Sequence, residues 1–287
     1  MLTICKKEIR GYFTSMIGYV FTAFMLVISG IYFTAYHLQA GYPIYGYSLS
    51  SITFVFLIVT PILTMRSLAE EQKQKTDQLL LTSPLSVRDI VVGKFLGLAG
   101  VFAVPVLIMC LCPLILSSFG EVNLKMAYAA LLGFFLLGCA NLAVGLFISS
   151  ITESQIIAAV VTFIVLFICY MMSGIETLFS ETASSSLLAF VFLVLAVCAV
   201  IYVVLKNTFL AILTGIAGEA ALFILYAVKS SLFEGAVQKL LELLNLTGHF
   251  DDYVDGIFSV SGILYYISVI GVFLFLTAQS IQKRRWS

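Results

Sequence analysis

The stretch RSLAEEQKQKTDQLLLTSPLSVRDI, Arg66–Ile90, interrupts a chain that is 61% hydrophobic. From Arg66 to Lys94 it gathers nine of the thirty Lys, Arg, Asp and Glu residues into twenty-nine positions. On either side the sequence is apolar for about the length of a bilayer crossing, Leu49–Met65 before it and Val92–Leu116 after it. A helix needs about twenty such residues to cross the hydrocarbon, because each backbone amide must find its partner within the segment. Arg66–Ile90 therefore reads as a polar loop between two membrane spans, and the rest of the fold follows from it.

Outward from this loop the same pattern repeats. Candidate spans are Ile17–Tyr36, Leu49–Met65, Val92–Leu116, Met126–Ser149, Gln155–Ile175, Leu187–Leu205, Thr208–Val228 and Gly262–Ser280. The runs are long and lack period-two alternation, which excludes strands. With 10% charged residues and a mean hydropathy of +1.11, the chain is far from a soluble domain, where about a quarter of residues are charged. The fold class is all-α: one polytopic membrane domain over residues 1–287, with eight spans. Leu187–Leu205 and Thr208–Val228 are joined by little more than Lys206 and Asn207, so six spans plus a re-entrant hairpin is the alternative.

Charge placement sets the orientation. With the N-terminus in the cytosol, twelve of the fifteen Lys and Arg residues fall on the inner side, and only Lys125, Lys229 and Lys239 fall outside. The positive-inside rule then places both termini in the cytosol. Net charge is zero, so no nucleic-acid partner is expected and the bulk partner is the lipid bilayer. Residues 1–16 read as an interfacial amphipathic helix, with Cys5, Ile9, Tyr12, Phe13 and Met16 at spacings of three and four. Residues 229–261 read as an extracellular segment containing a short helix in which Leu232, Val237, Leu240, Leu241 and Leu244 form the apolar face. The six cysteines suggest neither a disulfide framework nor a metal site.

Within the charged loop, Ser67–Lys75 has no Gly or Pro and is rich in helix formers, so a helix is expected there. Leu79, Leu80 and Leu81 form an apolar knot, Thr82-Ser83-Pro84 ends that segment, and Ser86 with Asp89 resembles a capping box opening the third span. A solvated loop needs no leucine knot, whereas a rigid contact with a cytosolic partner does. The chain has no GxxxxGK[ST] phosphate loop: Gly93-Lys94 is followed by Phe95 and lacks the earlier glycine. No Ser-His-acid set presents itself, so no catalytic residues are assigned.

Inside the spans, Glu219 lies between Gly218 and Ala220, where a carboxylate requires a partner or a water-filled cavity. It is a candidate for a substrate path, or a protonated acid bonded to a neighbouring helix. Asn141, with Gly138 and Gly145, is a candidate for the same path or for helix packing.

The run PILTMRSLAEEQKQKTDQLLLTSPLSVRDIVVGKFLG, Pro61–Gly97, resembles the loop and third span of ABC-2 type permeases, specifically those similar to the gliding-motility permease GldF. Lys75 stands where that family usually has Gly. KKEIRGYFTSMIGYVF at Lys6–Phe21, GLFISSITESQIIAA at Gly145–Ala159 and the tail His249–Trp286 agree with it, while Glu176–Leu246 matches poorly. The resemblance implies an ABC-2 (type V exporter-like) transmembrane domain in the cell membrane. The chain would be a permease subunit, with ATP and Mg held by a separate ATP-binding subunit and no cofactor in this chain. A second permease copy or paralogue would complete the dimer, and an extracytoplasmic accessory protein is a further candidate partner. Residues 66–86 would be the coupling helix region seated on the ATP-binding subunit, with Arg66, Glu70, Glu71, Leu79, Leu80, Leu81, Thr82, Ser83 and Pro84 in contact. A non-transporting membrane scaffold, and a secondary transporter using Glu219, are the rival readings.

Overall fold

The computed structural model describes residues 1–76, 86–176, 182–183, 186–188, 190–191, 194, 215, 219–220, 222, 226 and 233–286. The described residues form helices and their connections, with no strand among them. Among the described residues, six helices are long and apolar enough to cross a membrane: Ile17–Gln39, Gly46–Lys73, Val87–Ser117, Leu124–Ile151, Gln155–Ile175 and Val260–Arg284. They coincide with six of the eight spans expected from sequence. The expected spans Leu187–Leu205 and Thr208–Val228 lie almost wholly outside the described residues.

By its contacts the chain divides into two compact units, Met1–Tyr170 with Leu246–Ser287, and Met171–Asn245. In the larger unit the fourth span is the axis. It is buried on most sides, and the C-terminal, third and second spans all pack on it. Small residues make this possible, because helices in lipid gain by close packing rather than by escaping water. Gly138 leaves the room that the ring of Phe102 occupies, and Gly145 leaves the room for the side chain of Thr64. Around Gly138 the rings of Phe56, Phe102 and Phe134 form a cluster, with the Phe56 and Phe134 centroids 4.9 Å apart.

At one end of this unit, Tyr253 of the helix Gly248–Val254 lies over Gly133 and donates its hydroxyl to Ser259 O at 2.6 Å. Tyr266 reaches Leu246 O at 2.8 Å. His37, buried in the π-helical turn Thr34–Gln39, bridges Tyr42 O and Ser48 Oγ.

At the opposite end lie the N-terminal helix Leu2–Thr14, the residues after the second span, the start of the third span and the end of the fourth. The chain turns from the N-terminal helix into the first span at Met16, which has φ +61°. Gly18 permits the tight corner, since a Cβ there would meet Phe13 and Tyr12 O at 3.1 Å. The N-terminal helix, expected as an interfacial helix, packs along the third span. It buries Ile4 and Tyr12 and half-buries Cys5, Ile9 and Phe13 of the expected apolar face, while Met16 is 73% exposed.

The smaller unit contains the helix Ala236–Leu244, entered through Gly235 at φ +66°. Of the apolar face expected there, Val237 is buried and Leu240 and Leu244 are exposed.

Candidate functional site: an elbow after the second span

The helical stretch Gly46–Lys73 breaks after Thr64, taken as the end of the second span, and re-forms as a five-residue helix, Ala69–Lys73, inside the Ser67–Lys75 stretch expected to be helical. Its first amides need acceptors that the helix itself does not supply. The fourth span provides one: Ser149 Oγ accepts from Leu68 N at 3.2 Å and from Ala69 N at 3.0 Å. Gln72 Nε2 adds a bond to Ser150 O at 3.0 Å. Leu68, Ala69, Gln72, Ser149 and Ser150 are all buried, so this elbow is seated on the fourth span without intervening solvent.

The elbow ends in a Schellman motif. Lys75 N donates to Gln72 O and Thr76 N to Glu71 O, at 3.1 and 3.0 Å. Lys75 takes φ +57°, the left-handed conformation that favours glycine.

On the elbow's polar side, Arg66 donates to both oxygens of Glu70, at 2.6 and 3.3 Å. Glu71 turns inward and its Oε2 lies 2.8 Å from Lys94 Nζ. Lys94 sits two turns inside the third span and is fully buried. A buried ammonium needs both opposite charge and acceptors, and Lys94 has them: beside the Glu71 charge, it donates to Glu8 Oε1 at 2.7 Å and to Ser67 O at 2.8 Å. Lys7, largely exposed, approaches Glu71 Oε1 at 3.4 Å. The Tyr12 hydroxyl donates to Leu63 O at 2.7 Å. Burial, with the Glu8 charge adding to it, pushes the Tyr12 phenol well above its usual range and keeps it a donor. Between the N-terminal helix and the elbow lies a cleft of about 350 Å³, lined by Lys7, Gly11, Tyr12, Arg66, Ser67 and Glu70 among others.

The third span opens as the sequence suggests. Ser86 Oγ accepts from Asp89 N at 3.1 Å and donates to Asp89 Oδ2 at 2.6 Å. At the end of the fourth span, Arg284 pairs with Glu153 at 2.6 Å and Ser280 Oγ donates to Ser150 O at 3.2 Å.

Of the residues singled out from sequence, Arg66, Glu70 and Glu71 meet in this elbow. Leu79, Leu80, Leu81, Thr82, Ser83 and Pro84 lie outside the described residues. Asn141 is buried on the fourth span, on the side that carries Gly138 and Gly145. Glu219 is helical and half-buried in the smaller unit. Sequence reasoning missed Glu8, Ser67 and Lys94, and took Ser149 only as the start of a second inner loop, Ser149–Glu153, open to a partner. Lys94 carried a readable signal, an ionisable residue flanked by Val91, Val92 and Phe95.

Residues 29–232, more than half of the chain, match the family described as ABC-2 family transporter protein. The chain belongs to the ABC-2 transporter family. As an ABC-2 protein with six helices long and apolar enough to cross a membrane among its described residues, it is a multi-pass membrane protein and a permease component of an ABC transporter. The match takes in the elbow, Lys94 and Ser149, and leaves out the N-terminal helix and the C-terminal span. No curated protein matches the chain.

Proposed function

We propose that this ABC-2 permease couples ATP hydrolysis by a separate ATP-binding subunit to export, or to mechanical transmission, across the cell membrane. Residues 66–86 form the contact, with Arg66, Glu70 and the stretch Leu79–Pro84 facing the partner and Glu71 fixing the elbow from within. ATP and Mg belong to the partner. The chain pairs with a second copy or a paralogue, keeps both termini in the cytosol, and resembles permeases of the GldF type. An extracytoplasmic accessory protein fits the segment 229–261.

The observation that carries this reading is the seat of the elbow. Ser149 caps Ala69–Lys73 from the fourth span, and Gln72 holds Ser150 O, so a push on the elbow is delivered to that span. A loop serving only as a connection does not require a cap from a residue about eighty positions away. Twelve inner against three outer Lys and Arg residues support the orientation.

Purification with candidate ATP-binding proteins provides the test. Glu70→Arg combined with Leu80→Asp is expected to abolish complex formation and permease-stimulated ATPase activity while leaving the free permease folded. Retention of both would remove the elbow from the contact. A partner that binds with no change in its ATPase activity would favour a scaffold.

A further inference from the structure

We infer that Lys94 clamps the N-terminal helix to the elbow, so that the helix Leu2–Thr14 belongs to the body a partner moves rather than serving only as a membrane anchor. This rests on the reading of residues 66–86 as the contact with an ATP-binding subunit.

The geometry joins three parts of the chain at one ammonium. Lys94 comes from the third span, Glu8 from the N-terminal helix, and Ser67 and Glu71 from the elbow, at 2.7, 2.8 and 2.8 Å from Nζ. Lys94 is fully buried, and the side chains of Glu8 and Glu71 are only 12% and 16% exposed. Burial matters here, because exposed pairs of this kind hold little, whereas a desolvated one resists separation of its partners.

Backbone packing brings Glu8 within reach. Gly93, Gly97 and Gly100 line one face of the third span. A Cβ would meet Ile4 at 3.0 Å from Gly93, Glu8 at 2.5 Å from Gly97 and Ile9 at 2.8 Å from Gly100. Helices meeting over glycines approach closely enough for short contacts along their length. Tyr12, one turn beyond Glu8, fastens the same helix to Leu63 O at the end of the second span.

The N-terminal helix thus spends Ile4, Glu8 and Tyr12 on protein contacts, and its cations Lys6 and Arg10 remain exposed. An interfacial anchor would need none of those three contacts. When the elbow shifts, Glu71 either carries Lys94, Glu8 and the N-terminal helix with it or must leave a buried cation. The first span begins three residues after that helix ends, so the movement reaches it too.

The test is the neutral variant Lys94→Met/Glu8→Gln/Glu71→Gln, which removes the clamp without leaving an unpaired buried charge. In the complex with the ATP-binding subunit, assembly is expected to be retained. Permease-stimulated ATPase activity should fall about tenfold, within the range of couplings between protein sites. Spin labels at Lys6→Cys and Lys73→Cys, with the native cysteines replaced, report whether the two parts move together. In the native clamp their separation should be the same in nucleotide-free and vanadate-trapped complexes. In the neutral variant it should broaden or shift on trapping. Full stimulation with an unchanged, narrow separation in the neutral variant would overturn the inference, as would a native separation that shifts on trapping. If no ATP-binding subunit associates, the proposed function fails. The same label pair in the free permease then decides the clamp: a narrow separation that broadens in the neutral variant upholds it, and equal distributions overturn it.

Discussion

Replacing Lys94 alone with methionine should destabilise the protein far more than replacing it together with its two carboxylate partners. Glu8 Oε1 and Glu71 Oε2 lie 2.7 and 2.8 Å from the same Nζ, so they stand no more than about 5.5 Å apart. With the cation gone, two like charges at that separation repel by about 3 kcal/mol at an effective dielectric constant of about 20. Breaking a buried pair from one side costs about 3–5 kcal/mol, and the residual exposure of the two glutamates favours the lower end. About 3 kcal/mol is therefore expected for Lys94→Met. Adding Glu8→Gln and Glu71→Gln removes the repulsion and most of the desolvation cost, since neutral replacement of a buried ion cluster is often close to neutral in stability. The triple variant should recover about 2 kcal/mol or more of the loss. Equilibrium unfolding in mixed detergent micelles measures this, with reactivity of the Cys139 thiol as readout, since Cys139 is buried in the fourth span. A single variant within about 1 kcal/mol of the native protein would refute the reasoning. So would a triple variant no more stable than the single one.

Gly145→Val should cost about 1–3 kcal/mol, as overpacking does, because its Cβ runs into Thr64, which is fully buried and has nowhere to move; the same unfolding assay reads it. Ser149→Ala leaves the amides of Leu68 and Ala69 buried without their acceptor, costing about 1–3 kcal/mol. Permease-stimulated ATPase activity should drop while the partner still binds. Lys75→Gly should stabilise the elbow. Relief of the left-handed backbone is worth about 1–2 kcal/mol, offset by about 0.5–1 kcal/mol of added chain entropy. The net gain should appear as slower proteolysis after Gln74.

The six spans were legible because the bilayer imposes a demand that length and composition alone can meet. A helix of about twenty apolar residues is needed, whatever its neighbours are. The Ser86 cap was legible for a similar reason, since Ser86 and Asp89 are three residues apart and need only each other. The charge cluster was not legible, because Glu8 and Lys94 are separated by 86 positions and no local pattern records a partner that distant. The neighbour of the N-terminal helix was not legible for the same cause. Spacing gave Cys5, Ile9, Tyr12, Phe13 and Met16 as the apolar face, of which Tyr12 is buried and Cys5, Ile9 and Phe13 are half-buried, but it did not show that the neighbour is a glycine-lined helix that accepts a glutamate. Gly93 and Gly97, four apart in an apolar span, were the trace of that neighbour in the sequence. Lys75 shows the converse. Its left-handed φ is a conformation that favours glycine, and nothing in the helix propensity of lysine announces it.

The concentration of charge between Arg66 and Lys94 has two causes that residue counting merges. Arg66, Glu70, Glu71 and Lys94 pair with one another or with the N-terminal helix, so their places are set by the geometry of the elbow. Lys73, Lys75 and Arg88 lie outside that set of ion pairs, and it is cations of this kind that bear on orientation. Discounting Lys94 as buried leaves eleven inner against three outer cations in the proposed topology, and the rule still decides the same way. Orientation alone would not call for a lysine two turns inside a span, where desolvation opposes it. That position is accounted for by what it joins. A single ammonium there meets two carboxylates and a backbone carbonyl from separate segments. The elbow therefore owes its position to residues lying on both sides of it in the chain, and substitutions at Glu8 should alter it as surely as substitutions within it.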